Sequence, residues 1–196
     1  MPQHDDLQLL LDERAIRRVI LRYCRGIDRG DVELVRSCYH PDALDVHGRY
    51  RGDAHGFAEH AVTVLTERYE VTSHAVHNCL IEITGDTAHV ETYFVAHHES
   101  RATDPDRHTY RFGGRYIDRF IRADGQWAIS RRVLVRDWSA RDPLSSEASA
   151  AAEGERATFV NGTRNGSDLA YESAFDQWIS TWYDAHTDSD RTNGRS

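Results

Sequence analysis

Lysine is missing from this chain of 196 residues, so its 24 basic side chains are all arginine, and cysteine (three), proline (four) and methionine (one) are scarce. The arginine bias fits a high-GC coding preference as well as it fits bidentate anion binding, and no function is read from it. Cys24, Cys38 and Cys79 are odd in number and form no CxxC pair, which argues against a disulfide framework and a zinc knuckle. A reducing, cytoplasmic setting is the expectation. Positive charge is in deficit: 32 acidic residues against 24 basic give a formal net charge of -8, with the signs interspersed, so no nucleic-acid footprint is expected. No run of about 18 apolar residues occurs, and the start has no basic region followed by an apolar one, which predicts a soluble, unexported protein without a membrane partner. GxGxxG, a phosphate-binding loop and a GxSxG elbow are absent too, which disfavours nucleotide cofactors and serine hydrolysis.

What is present suits a real core: 39% hydrophobic residues, 10% aromatic, in a length that fits one domain with an appendage. Leu9, Ile16, Val19, Ile20, Tyr23 and Ile27 recur at helical spacing, predicting an amphipathic helix over 6–27 with Gly26 and Gly30 at its exit. A shorter helix over 31–39, with Leu34, Val35 and Cys38 inward, ends at His40-Pro41-Asp42. A strand over 43–47 turns at Gly48, and Asp53 caps a third helix whose Phe57, Ala61, Val64 and Leu65 face inward. Past Glu70 the pattern changes to strands over 71–84, 87–99, 110–122 and 127–138, joined by turns at Gly85-Asp86 and Asp124-Gly125 and a loop around Asp104-Pro105. Helices first and strands second predict an α+β domain in which a curved, antiparallel or mixed sheet wraps about three helices as a cone.

In the first long strand the inward set shifts from His74, Val76 and Asn78 to Ile81 and Ile83, predicting a bulge near Cys79. Gly113-Gly114 predicts a sharp bend or a close backbone approach. The domain is expected over 6–138, a linker rich in Ala, Ser and Glu over 139–160, and a C-terminal extension over 161–196. Tyr171, Phe175, Trp178, Ile179 and Trp182 fall at helical spacing behind a Ser167-Asp168 cap, predicting a helix over about 168–185. Its aromatic stripe is expected to pack on the domain or on a subunit partner, or to close over a cavity as a lid.

Asp28, just after the first helix, and His74, near the start of the first long strand, are the candidates for chemistry. A carboxylate that holds one imidazole nitrogen fixes the tautomer and leaves the other nitrogen free as a base near neutral pH. Each also has a plain reading, Asp28 as turn chemistry at a helix end and His74 as a hydrogen-bonded sheet histidine. Tyr23 either hydrogen-bonds a substrate oxygen or is a core aromatic with its hydroxyl satisfied locally. Of Arg131, Arg132 and Arg136 in the last strand, one is expected to face the cavity and stabilise an anionic intermediate. Arg132 is favoured, because the face of Arg131 continues Trp127, Ile129 and Val133 and suits packing on helices. Twelve histidines invite a metal, but His74/His77 and His97/His98 point to opposite faces of a strand, and His55/His60 lie five apart on a helix. No metal is expected.

Three segments carry a resemblance: Tyr23-xxxx-Asp28 followed by Gly30-Asp31, His74-xxx-Asn78, and Asp124-Gly125-Gln126-Trp127-Ala128-Ile129. With the layout of 6–138 they resemble the SnoaL-like proteins, in the cone-shaped α+β fold shared by ketosteroid isomerase and nuclear transport factor 2. The nearer resemblance is to bile-acid dehydratases, scytalone dehydratase and hexachlorocyclohexane dehydrochlorinase, in which the matching Asp and His are a catalytic dyad. It implies a cofactor-independent elimination or isomerisation in which His74 takes a proton from carbon, on a hydrophobic polycyclic or aromatic substrate such as a steroid or polyketide. It also implies a dimer or trimer. The same fold serves non-catalytic ligand-binding or assembly modules and the small structural subunit of ring-hydroxylating dioxygenases. An Asp28/His74 pair disfavours that last use, which needs no base.

Overall fold

The computed structural model describes residues 2–101, 103, 106–144 and 159–181. Helix α1 (Pro2–Arg29) ends where Gly30 adopts φ +68°, a left-handed conformation that closes the helix. The Gly30 N–H donates to the Ile27 carbonyl at 3.4 Å and the Asp31 N–H to the Gly26 carbonyl at 2.8 Å, the paired bonds of a Schellman ending. This fixes Asp28 in the final turn. Asp31 then caps α2 (Val32–Arg36), accepting the Leu34 N–H at 2.9 Å. Helix α2 stops short of the predicted end, and Tyr39 opens β1 (Tyr39–His47) instead, paired beside Ile129 with its hydroxyl donating to Asp45. After β2 (Tyr50–Asp53), Asp53 caps α3 (Ala54–Arg68) as expected, accepting the Gly56 N–H at 2.6 Å.

Four long strands follow: β3 (Tyr69–Thr84), β4 (Thr87–Ser100), β5 (His108–Ala123) and β6 (Gln126–Pro143). Residues 139–143, expected to be linker, are strand, because β5 begins early enough for His108 to pair with Pro143. The body of the expected linker, 145–158, lies outside the described residues. The sheet runs β2-β1-β6-β5-β4-β3, with β1 parallel to β6 and the other neighbours antiparallel. It is a mixed, curved, unclosed sheet folded over the helices, the α+β architecture expected.

Its curvature comes from breaks in register. Between Val76 and Cys79 the β3/β4 ladder slips, leaving both His77 and Asn78 exposed before Cys79, Ile81 and Ile83 resume the inner face. Asn78, expected inward, therefore faces out. At Gly113-Gly114 a second slip brings the backbone so close that a Cβ on Gly113 would overlap the Trp138 ring and one on Gly114 the Val135 carbonyl oxygen. A third slip, between Arg119 and Phe120, accommodates Ser130 on β6. It reverses the alternation, so Trp127, Ile129 and Arg132 are buried while Arg131 and Val133 are exposed. Arg131 thus leaves the face of Trp127, contrary to simple alternation.

Ile16, Ile20, Val35, Val90, Phe120 and Ile129 fill the space between sheet and helices. Among the described residues no helix is long and apolar enough to cross a membrane. The C-terminal helix covers only 172–181 of the described residues. Asp168, predicted as its cap, instead accepts the Thr163 N–H at 2.8 Å, the Ala170 N–H at 3.0 Å and Arg29 Nη1 at 2.7 Å, pinning the segment to the end of α1. Tyr171 adds a bond to Asp31 at 2.8 Å, whereas Phe175 of the predicted stripe stays half exposed and Trp182 lies outside the described residues.

Candidate active site

A cavity of about 180 Å³ opens where the ends of α1 and α3 meet the inner face of the sheet. Tyr23 and Ile27 line it from α1, His47 from β1, Phe57 and Leu65 from α3, His74 from β3 and His98 from β4. The helix ending at Gly30 and the strand start at Tyr69 bring Asp28 and His74 together although 46 positions separate them. Asp28 Oδ1 lies 2.7 Å from His74 Nδ1 and Oδ2 accepts the His74 backbone N–H at 2.8 Å, with both side chains nearly buried. A carboxylate can only accept, so Nδ1 carries the proton and Nε2 the basic lone pair. Two bonds from one carboxylate to one residue fix both the ring and the backbone that carries it.

Tyr23 also reaches the cavity, and is almost wholly buried. Burial pushes its phenol far above the ordinary value, opposed by the nearby Arg132, so it is a hydrogen-bonding alcohol and not an acid of neutral pH. Arg132 faces inward as expected, yet it does not line the cavity. Its guanidinium lies 4.2 Å from the ring centroids of both Tyr23 and Tyr116. Asp118 takes Nε at 2.7 Å and Nη2 at 2.6 Å in a fully buried bidentate pair. Burial works against that cation and the Asp118 carboxylate more than offsets it, so Arg132 stays charged. The structure therefore brings His74 and Tyr23 to one cavity, holds Asp28 on His74, and sets Arg132 in a core ion pair outside the lining.

His98 is the residue that sequence reasoning missed. Its ring stands 5.5 Å from that of His74, 4.6 Å from Tyr69 and 5.4 Å from Phe112. Burial, with His74 and Arg164 adding to it, pushes its pKa down to about 3, so the imidazole is neutral. Neither ring nitrogen has a hydrogen-bond partner among the described residues. A buried imidazole with a free N–H and a free lone pair is costly unless something else completes it. The signal was in the strand: Ala88, Val90, Thr92, Phe94, Ala96 and His98 are all buried at period two along β4. His97, its neighbour, points the other way and bonds Glu99 at 3.1 Å. Among the described residues no three His, Cys, Asp or Glu side chains stand close enough to hold a metal ion.

A family profile described as the SnoaL-like domain matches residues 8–133. The chain belongs to the SnoaL-like family. Solved structures of similar shape are consistent with that membership. A proposed scytalone dehydratase from Novosphingobium aromaticivorans is 21% identical with a TM-score of 0.61, covering 69% of this SnoaL-like chain and 91% of its own. A hexachlorocyclohexane dehydrochlorinase from Novosphingobium barchaimii is 19% identical with a TM-score of 0.62, covering 72% and 95%. A protein of unknown function from Mycobacterium tuberculosis is 25% identical with a TM-score of 0.55, covering 72% and 78%. A comparison with curated proteins finds no match. The SnoaL-like domain runs from α1 into the first half of β6, and the segment over 159–181 lies outside it.

Proposed function

We propose that this SnoaL-like protein is a cofactor-independent lyase of dehydratase type, or an isomerase, that starts its reaction by taking a proton from carbon. The observation that carries this reading is the carboxylate of Asp28 held on both N–H groups of His74, at the wall of a cavity lined by aliphatic, aromatic and histidine side chains. His74 Nε2 accepts the proton, and Asp28 stabilises the imidazolium that forms. In an elimination the C–H electrons become a double bond while a leaving group departs from the neighbouring carbon with its bonding pair. In an isomerisation the proton returns elsewhere. His98, neutral and unpartnered, is the group placed to hydrogen-bond the substrate's oxygen, with Tyr23 as a second donor. Arg132 has no part in this reading beyond supporting Tyr23.

Phe57, Ala61, Val64 and Leu65 support a hydrophobic, aromatic or polycyclic substrate. The cavity, about 180 Å³, is smaller than the roughly 300–1,000 Å³ of pockets for drug-sized ligands, which favours a compact ring system over a full steroid. A cytoplasmic homo-oligomer remains part of the proposal. Two measurements test it. Titration of His74 followed by NMR is expected to move in Asp28→Asn, and an identical titration in both proteins would sink the pair. Solvent deuterium is expected to enter aromatic and steroid ketones that bind, and to stop entering with His74→Ala; bound ketones that never exchange would show a binder without a base.

A further inference from the structure

We propose that Arg164, outside the SnoaL-like domain, is a positioning residue of the Asp28–His74 pair and makes the C-terminal segment part of the active site. The inference rests on the reading of that pair as the catalytic base. Arg164 reaches from the segment over 159–171 to four backbone oxygens. Its Nε donates to the Asp28 carbonyl at 3.2 Å and Nη2 to that of Ile27 at 3.3 Å. Its Nη1 donates to the carbonyls of Leu65 at 2.8 Å and Tyr69 at 3.1 Å. The first two oxygens belong to the last turn of α1, and the other two to Leu65 in the last turn of α3 and to Tyr69, its C-cap. The Ile27 and Leu65 carbonyls each accept a capping backbone N–H as well, and Arg164 adds a second donor to both. A planar fork with five N–H groups can span both ends, and an ammonium cannot.

Each fastened point adjoins a working side chain. Ile27 and Leu65 line the cavity, Asp28 holds His74, and the Tyr69 ring packs 4.6 Å from that of His98. One guanidinium therefore sets the spacing between α1, which supplies the carboxylate, and the α3–β3 junction five residues before the imidazole. It also supplies charge where charge is needed. Asp28 is an anion in the last turn of a helix, a position the helix dipole disfavours, and a cation at that end offsets the penalty. Burial opposes the Arg164 charge, and Asp28 supports it. Arg164 is itself held in place on either side: Arg29 binds the Thr163 carbonyl at 2.9 Å and Asp168 at 2.7 Å, and Arg25 binds the Ala170 carbonyl and faces the Tyr171 ring.

The readout is the Nδ1 proton of His74, observed in full-length protein with 15N-labelled imidazoles. In the unaltered chain its hydrogen bond to Asp28 is expected to give a downfield signal protected from exchange, and Asp28→Asn is expected to remove it. That control tests the pair itself, so its failure is distinguishable from failure of the present proposal. Arg164→Ala is expected to lose the signal to rapid exchange while circular dichroism still reports a folded domain. Arg164→Lys, which keeps the charge but cannot reach both helix ends, is expected to lose it too, and serves alone if the alanine variant does not fold. A His74 signal of unchanged position and exchange rate in either folded variant would overturn the proposal and leave Arg164 as a packing residue of the tail.

Discussion

His98 stays unprotonated in the folded protein down to about pH 3, whereas in an unfolded chain it takes up a proton near its ordinary 6.5. Between those values the unfolded state binds the extra proton, so stability falls as pH falls through that window and is complete above it. The size of the loss is on the order of a few kcal/mol for a shift of this kind. Urea unfolding at pH 7 and pH 4 is expected to show it, and His98→Gln is expected to flatten the difference; an equal loss in both proteins would mean the buried imidazole is not its source. This residue also shows what a sequence hides. Asp28 and His74 were legible because a helix ending in Asp before Gly30 and a histidine opening a strand are local patterns. His98 beside His97 reads first as a metal pair, and only the burial alternation of β4 reveals its inward face. Arg164 carries no local mark at all, since its meaning lies in carbonyls more than 90 residues away.

At the scale of elements, the helices and the long strands followed from periodicity, caps and turn residues, and their order followed too, whereas the four-residue β2 was too short to leave an alternation of its own. The faces of the strands did not always follow, because a bulge exchanges the two faces without changing composition. The shift at Cys79 was visible, since apolar residues on either side of it change phase. That at Ser130 was not: Trp127, Ile129 and Val133 alternate without interruption, and only the ladder with β5 shows that Val133 has turned outward. The bend at Gly113 can be tested directly. Gly113→Ala puts a methyl group into the Trp138 ring, and the overlap is relieved only by turning that half-exposed ring or by moving the strand. Overpacking of this type costs about 1–3 kcal/mol, so the urea midpoint is expected to fall with an unchanged slope. An unaltered midpoint would show that β6 yields freely at Trp138.

For the whole molecule, the outer face of the sheet leaves Leu44, Leu80, Tyr93 and Val133 exposed, each at more than two fifths of its surface. Together with the homo-oligomer expected from the family resemblance, this face is the surface where a second copy is predicted to pack. Light scattering is expected to give a dimer or trimer, and Tyr93→Glu with Val133→Glu is expected to give a monomer. A monomeric unaltered chain would remove this expectation without touching the cavity, which faces the other way.

The parallel contact between β1 and β6 has a consequence for how the chain is made. Tyr39 leaves the ribosome long before Ile129, its neighbour in the sheet, so the first strand must wait with the short β2 as its one strand partner. The cone cannot close around α1 until the last strand has emerged, and Arg164 arrives later still. Asp28 and His74 are synthesised early, but the frame that holds them together is finished last.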